Sequence, residues 1–297
     1  MNLVVEHCPL CKNKRHRFFE AVQDNGHSLT YMICDTCGLV FQSPRMSDDE
    51  LKDFYQAEYR RLVQDDVGPT EKDQRVQAGR ARNLLKFLLK NLDLVRSHLD
   101  IGSSAGTLLE FIQKQYKCTS VGIEPGDAYR TFSQERGWEV VADLGDIDDK
   151  YSTSFDLVTM AHVLEHLPDP VGYLRNLREK WMTPGGHLLI EVPNLNGHTA
   201  LELSHLTAYS SMTLQRLLDR AGYHMVALEA HGHPRSRLIP LYLTALAQES
   251  SQQRPNVSYW TNPSGILFRR KIGMLWARSV TRILPGLAWL PWPELDE

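Results

Sequence analysis

The chain has 297 residues, 42% hydrophobic and 23% charged, a composition that excludes disordered and collagen-like chains. Its length allows one large core or two unequal ones. A net charge of −3, from 33 basic and 36 acidic residues, gives no global field to recruit nucleic acid. No apolar run reaches the roughly 18 residues of a spanning helix, and residues 1–6 lack the basic-then-apolar layout of a signal peptide. The cytoplasm is therefore the expected compartment, with the five cysteines as thiols or metal ligands rather than disulfides.

Four of the cysteines fall in two pairs, Cys8-x2-Cys11 and Cys34-x2-Cys37, with 22 residues between. Each pair holds two sulfurs about one tight turn apart, and together they can complete a tetrahedral thiolate shell that suits Zn²⁺. Pro9 helps set the first turn, and Gly38 tolerates a positive φ after the second. Residues 29–33 read as a strand entering the second pair and 39–41 as one leaving it. Residues 1–45 thus read as a zinc ribbon with Cys8, Cys11, Cys34 and Cys37 as ligands of a closed, structural site. The competing reading is four free thiols in a small hydrophobic cluster. About forty residues bury too little surface to fold alone, so a metal has a physical purpose. A redox role fits less well, because neither pair opens a helix after a strand.

Residues 46–92 read as a helical connector. Ser47-Asp48-Asp49-Glu50 puts acids in a first helical turn, ahead of Leu51, Phe54 and Tyr55. Residues 65–70 form a loop, and 81–92 form an amphipathic helix whose leucines pack on a core.

From residue 93 to 248 short apolar strands alternate with helices, which predicts an α/β doubly wound sheet, mostly parallel. The strands are expected at 97–101, 119–123, 138–142, 155–160 and 187–192, and two more at 223–229 and 239–247 would make seven. Helices are expected at 106–116, 127–136, 170–181 and 213–222. Cys118 reads as a core residue beside the second strand. Ligands of such sheets bind beyond the carboxyl ends of the strands. Four features collect there: Asp100-Ile101-Gly102-Ser103-Ser104-Ala105-Gly106, a turn of small residues; Glu124, an acid placed to hold ribose hydroxyls; Asp143; and Phe155-Asp156-Leu157-Val158 leading to His162-Val163-Leu164-Glu165-His166.

Together these resemble the class I S-adenosylmethionine-dependent methyltransferases over about residues 76–230. Met182-Thr183-Pro184-Gly185-Gly186 and Ala221-Gly222-Tyr223 match later turns of that family. The resemblance implies a Rossmann-like fold and S-adenosylmethionine as cofactor. It implies that Gly102 and Gly106 line the methionine and ribose portion, Asp100 sits near the amino group, Glu124 holds the ribose hydroxyls and Asp143 meets the adenine amine. Met160, Ala161 and His162 would border the methionine end. Ser104 replaces the middle glycine of the usual turn, and serine fits there if its φ stays negative. Each acid also has a plainer reading as a helix cap, and Asp156 is expected to order its own loop. His162, Glu165 and His166 share a helical face that suggests a metal, but a structural role is preferred. A nicotinamide dehydrogenase is disfavoured by the Leu-Glu-His and Pro-Gly-Gly segments.

The segment 193–210 should cover the same end of the sheet. His205 is the expected general base, with His198 and Tyr209 as weaker candidates. Zinc-ribbon-bearing sugar methyltransferases are similar in their four-cysteine module and in a histidine shortly before the aromatic-Ser that opens the next helix. Their C-methylating members place an acid before that histidine; Ser204 stands there in this chain, which favours an oxygen acceptor. The expected partner is a small-molecule or sugar acceptor, with no nucleic acid. Two other accounts stay open: an RNA or protein methyltransferase that uses the ribbon and the basic run Lys12–Arg17 for recognition, and a non-catalytic module that retains the cofactor fold.

Residues 249–297 read as a linker followed by a basic amphipathic helix at 265–285. That helix could dock on the main domain, cover the acceptor site, form a dimer or contact an anionic membrane peripherally.

Overall fold

The computed structural model describes residues 3–57, 68–148, 151, 153–197, 201–250 and 262–291. Strands β1 (His16–Asp24) and β2 (His27–Cys34) pair antiparallel. The hairpin turns at Asn25 and Gly26, with φ of 45° and 78°, the geometry that Asn-Gly favours. Residues 16–24 were not expected as a strand. Their apolar positions are sparse, since this edge strand leaves Phe18 exposed and buries Phe19. Strand β3 (Val40–Gln42) adds to β2.

Helix α1 (Asp48–Ala57) starts where expected: Ser47 and Glu50 cap each other reciprocally through backbone N–H groups at 3.2 and 2.8 Å. Helix α2 (Glu71–Leu89) begins well before the expected residue 81, because Thr70 and Asp73 form a capping box there. Its buried face is Ala78, Ala81, Leu84, Phe87 and Leu88.

Among the described residues the main sheet has seven strands, in the spatial order 223–231, 242–249, 182–193, 155–161, 97–101, 119–123 and 139–141. Strands β4 (Ser97–Ile101), β5 (Thr119–Ile123), β6 (Glu139–Val141), β7 (Phe155–Ala161) and β8 (Met182–Pro193) run parallel. Strand β8 absorbs the expected Pro184-Gly185-Gly186 turn, with a register shift opposite Phe155/Leu157. Strands β10 (Tyr223–His231) and β11 (Tyr242–Glu249) return antiparallel.

Alternation along the strands sends side chains to two faces. Leu157, Leu189 and Leu246 pack with α2 and with Leu108 and Ile112 of α3 (Thr107–Tyr116). Val158, Leu188 and Ile190 pack on the other face, against α5 (Pro170–Lys180) and α6 (Ser211–Ala221). Helix α4 (Asp127–Glu135) follows β5.

Cys8, Cys34, Cys37, Leu39 and Phe41 belong to that second core rather than to one of their own. The N-terminal sheet also takes its fourth strand, β9 (Thr207–Ala208), from the segment after β8. The Tyr31 hydroxyl, fully buried, lies 2.8 Å from the Glu202 carbonyl and 2.7 Å from that of His205. Helix α7 (Pro263–Ile283), followed by the single turn α8 (Pro285–Ala288), buries Ile266, Arg270 and Val280 against the body.

Candidate active site

A cleft of about 1080 Å³ opens beyond the carboxyl ends of β4, β5 and β7. Asp100, Gly102, Ser104, Glu124 and Asp143 line one part of it, and Ala161, His162 and His205 another. Gly106 and Met160 do not line it. Met160 is wholly buried in the core. Gly106 caps α3 with φ +74°, and a Cβ there would come within 3.0 Å of Trp138, so its glycine serves close packing behind the turn.

The turn itself departs from expectation at Ser104, whose φ is +51° rather than negative. Its contacts hold it in this unfavourable region. The Ser104 N–H donates to Glu124 at 2.9 Å, its carbonyl accepts from the Ser133 hydroxyl at 2.8 Å, and its hydroxyl accepts from the Gln77 amide of α2 at 2.9 Å. Gly102, φ +74°, lies so close to Val163 that a Cβ would sit 2.6 Å from its methyl group.

Glu124 also accepts from the Gly126 N–H at 2.8 Å, which fixes its carboxylate at the strand tip. Asp143 is exposed on the wall and caps its own turn by accepting from the Gly145 N–H at 2.9 Å. Asp100 is 2% exposed, and burial lifts its pKa to about 7 despite a 2.6 Å bond from the Thr159 hydroxyl. Asp156 orders its own surroundings, accepting from the N–H groups of Arg96 and Ser97.

The end of β7 carries a histidine–carboxylate cluster. His162, at φ +57°, sits between Glu165 at 3.4 Å and Glu191 at 3.3 Å. Burial and Arg80 oppose its charge, yet the two carboxylates hold its pKa above the usual histidine value. Burial alone would raise Glu165, but His162, His166 and His205 hold it at about 2. His205 is 7% exposed, its Nε2 lying 4.0 Å from Glu165 and 3.8 Å from Glu202. The His166 ring is 5.0 Å from that of His205, and its Nδ1 donates to the Ser204 carbonyl at 2.8 Å. Burial lowers the His166 pKa to about 4. The donors that approach one another within 4.8 Å are those of Glu165, His166 and His205, not the helical face read from the sequence, because this stretch forms a single 3₁₀ turn.

Tyr209 is fully buried, with its hydroxyl accepting from Thr207 at 2.9 Å, and is not on the cleft wall. His198 lies outside the described residues. Glu191 was missed. It is buried under the site and pairs with Arg80 at 3.0 Å and His231 at 3.4 Å. A lone acid inside Leu188-Leu189-Ile190-Glu191-Val192 was the available signal, since a buried charge requires partners.

The cysteine pairs converge as expected. The sulfurs of Cys8 and Cys37, and those of Cys11 and Cys34, are 3.5 Å apart, and all four lie within 4.8 Å of one another. A tetrahedral shell with Zn–S near 2.3 Å has S···S edges of about 3.8 Å, so the four thiols fit zinc. Hydrogen bonding among them, Cys11 foremost, pushes Cys8 up and Cys34 down, and a shared cation would relieve that competition for protons.

The mostly parallel seven-stranded sheet, the small-residue turn after β4 and the acid at the tip of β5 define a class I S-adenosylmethionine-dependent methyltransferase. A family model described as "Methyltransferase domain" matches residues 73–228, more than half of the chain, and the chain belongs to that family.

The ubiquinone biosynthesis O-methyltransferase of Vibrio parahaemolyticus is 28% identical over 120 residues, 38% of this chain and 51% of its own length. That of Proteus mirabilis is 31% identical over 104 residues, 33% of this chain and 42% of its own length. The chain thus spans about half the length of the curated relatives it matches. Among solved structures, the Burkholderia thailandensis 1,6-didemethyltoxoflavin-N1-methyltransferase, bound to 1,6-didemethyltoxoflavin and S-adenosylhomocysteine, has a TM-score of 0.55. It is 18% identical, with 78% of this chain and 100% of that one covered. A structure of the Haloferax volcanii Trm112 methyltransferase activator with its methyltransferase gives 0.51 at 13% identity, covering 69% and 100%. Both likenesses are of fold.

Proposed function

We propose that the chain transfers a methyl group from S-adenosylmethionine to an oxygen of a small-molecule or glycosidic acceptor, with His205 as the base. The observation that carries this reading is His205 on the cleft wall, beside the carboxylates of Glu165 and Glu202. The bound cofactor supplies an electrophilic methyl carbon. Glu124, held by the Ser104 and Gly126 N–H groups, would hold the ribose hydroxyls. Asp100 would meet the amino group and Asp143 the adenine amine, both lining the cleft. His205 takes the proton as the acceptor hydroxyl attacks, and the two neighbouring carboxylates stabilise the imidazolium that results. His162 stays fixed between Glu165 and Glu191 and shapes the methionine end.

Oxygen is favoured by Ser204 before His205 and by the two O-methyltransferase relatives. The glycosidic option rests on the four-cysteine module and on the histidine ahead of Tyr209-Ser210. Cys8, Cys11, Cys34 and Cys37 would hold one structural Zn²⁺. Recognition of RNA is less well supported, since Lys12 and Arg17 of the basic run are paired with Asp169 and Asp35.

The test is a screen of quinols, nucleotide sugars and glycans for S-adenosylhomocysteine release, repeated with His205→Ala. The substitution should lower turnover about 10²-fold or more while leaving cofactor affinity unchanged. Full activity in the variant removes His205 from the reaction.

A further inference from the structure

Helix α7 has two apolar faces, and the body uses one of them. Ile266, Arg270 and Val280 point inward. The Arg270 guanidinium bonds to Glu20 at 2.8 Å and to the Leu195 carbonyl at 2.6 Å, and Val280 packs with Ile239, Leu241 and Tyr242. Phe268, Ile272, Leu275 and Ile283 recur at helical spacing on the opposite side, each between 50% and 72% exposed, while Trp276, at the edge of that face, donates its indole N–H to the Leu238 carbonyl of the body at 3.0 Å.

The charge pattern says what covers this face. Residues 263–283 contain no acid, while Arg269 on one flank and Lys271, Arg278 and Arg282 on the other stand exposed around the apolar stripe. A chain with net charge −3 therefore carries a concentrated positive rim around this exposed apolar helix face. A symmetric second copy would bring those rims toward each other. A surface of anionic headgroups over hydrocarbon complements both features at once: apolar side chains enter the acyl boundary, and basic ones reach the phosphates. No described helix is long and apolar enough to cross a membrane, so the contact lies in the interface plane.

We propose that the outward face of α7 docks the protein on an anionic lipid bilayer. The inference does not depend on the identity of the acceptor. Tyr242, packed against the inner face of α7, is also a wall of the cleft, so docking would set the cleft at a fixed position relative to the membrane.

The experiment is flotation of the full chain with vesicles of phosphatidylcholine alone or mixed with phosphatidylglycerol. Binding is expected to the mixed vesicles and to weaken as salt rises. With each basic side chain contributing about fivefold, the triple substitution Arg269→Gln, Lys271→Gln, Arg278→Gln should weaken binding about a hundredfold. The pair Phe268→Ser, Leu275→Ser should abolish it. Both variants should keep wild-type cofactor affinity and circular dichroism, which separates lost docking from lost folding. Three results overturn the proposal: no flotation with anionic vesicles at low salt, binding that neither variant reduces, or a dimer by light scattering that Phe268→Ser, Leu275→Ser dissociates while the wild type ignores vesicles.

Discussion

At the scale of single residues, the part of the cleft proposed to hold the cofactor combines one acid held ready and one held back. Glu124 is fixed by two N–H donors. Asp100, buried and raised to about 7, keeps its proton across most of the acidic range. If it faces the cofactor ammonium, the bound state favours the ionised carboxylate, so binding below pH 7 releases a proton. S-adenosylmethionine affinity should then rise with pH, by up to about tenfold per unit, and level off above 7. Calorimetry in buffers of different ionisation enthalpy reads this directly, and Asp100→Asn should flatten the profile. Ser104 offers a second test. Ser104→Ala keeps the left-handed backbone but loses the Gln77 bond, costing about 1 kcal/mol in denaturant unfolding, whereas Ser104→Gly also relieves the strain and should cost less.

At the scale of elements, the N-terminal sheet and the segment 201–208 after β8 are built as one unit. Strand β3 pairs with β9, and Tyr31 on β2 holds the backbone carbonyls of Glu202 and His205. If the four cysteines hold zinc and His205 is the base, as proposed, chelation should reduce methyl transfer more than cofactor binding, since it loosens the loop that carries His205. Metal analysis before and after chelation, with both activities measured, checks this. Tyr31→Phe tests the same link without touching the metal: the Glu202 and His205 carbonyls lose the one hydroxyl proton they share, at a cost of about 1–3 kcal/mol. Turnover should fall while zinc content stays unchanged.

At the scale of the whole molecule, α7 closes the structure by passing very near the backbone after β8. A Cβ on Gly273 would lie 1.8 Å from the Asn196 carbonyl, so glycine is required there even though it weakens the helix interior. Gly273→Val should push α7 off the body, costing about 1–3 kcal/mol and lowering the thermal midpoint. Limited proteolysis should then cut within 263–283 before the rest of the chain.

Much of the molecule was legible in the sequence because it is written in local spacing. The Cys-x2-Cys pairs, the strand–helix alternation, the small-residue turn after β4 and the acid at Glu124 each need only a few neighbouring residues to be recognised. Helix α2 was legible only in part, since its start depends on a Thr70–Asp73 cap outside the leucine stripe. Other features depend on segments far apart in the chain. Glu191 meets Arg80, His162 and His231 only once β8, α2, β7 and β10 have packed. Glu165 approaches His205 only when β9 joins the N-terminal sheet, and the outward face of α7 is defined by what its inner face buries. The sequence by itself determined the elements and the kinds of chemistry they carry, because backbone geometry and ligand spacing are short-range. Only the tertiary structure decided which charges share a low-dielectric site and which apolar face remains outside, because burial is a property of the packed whole.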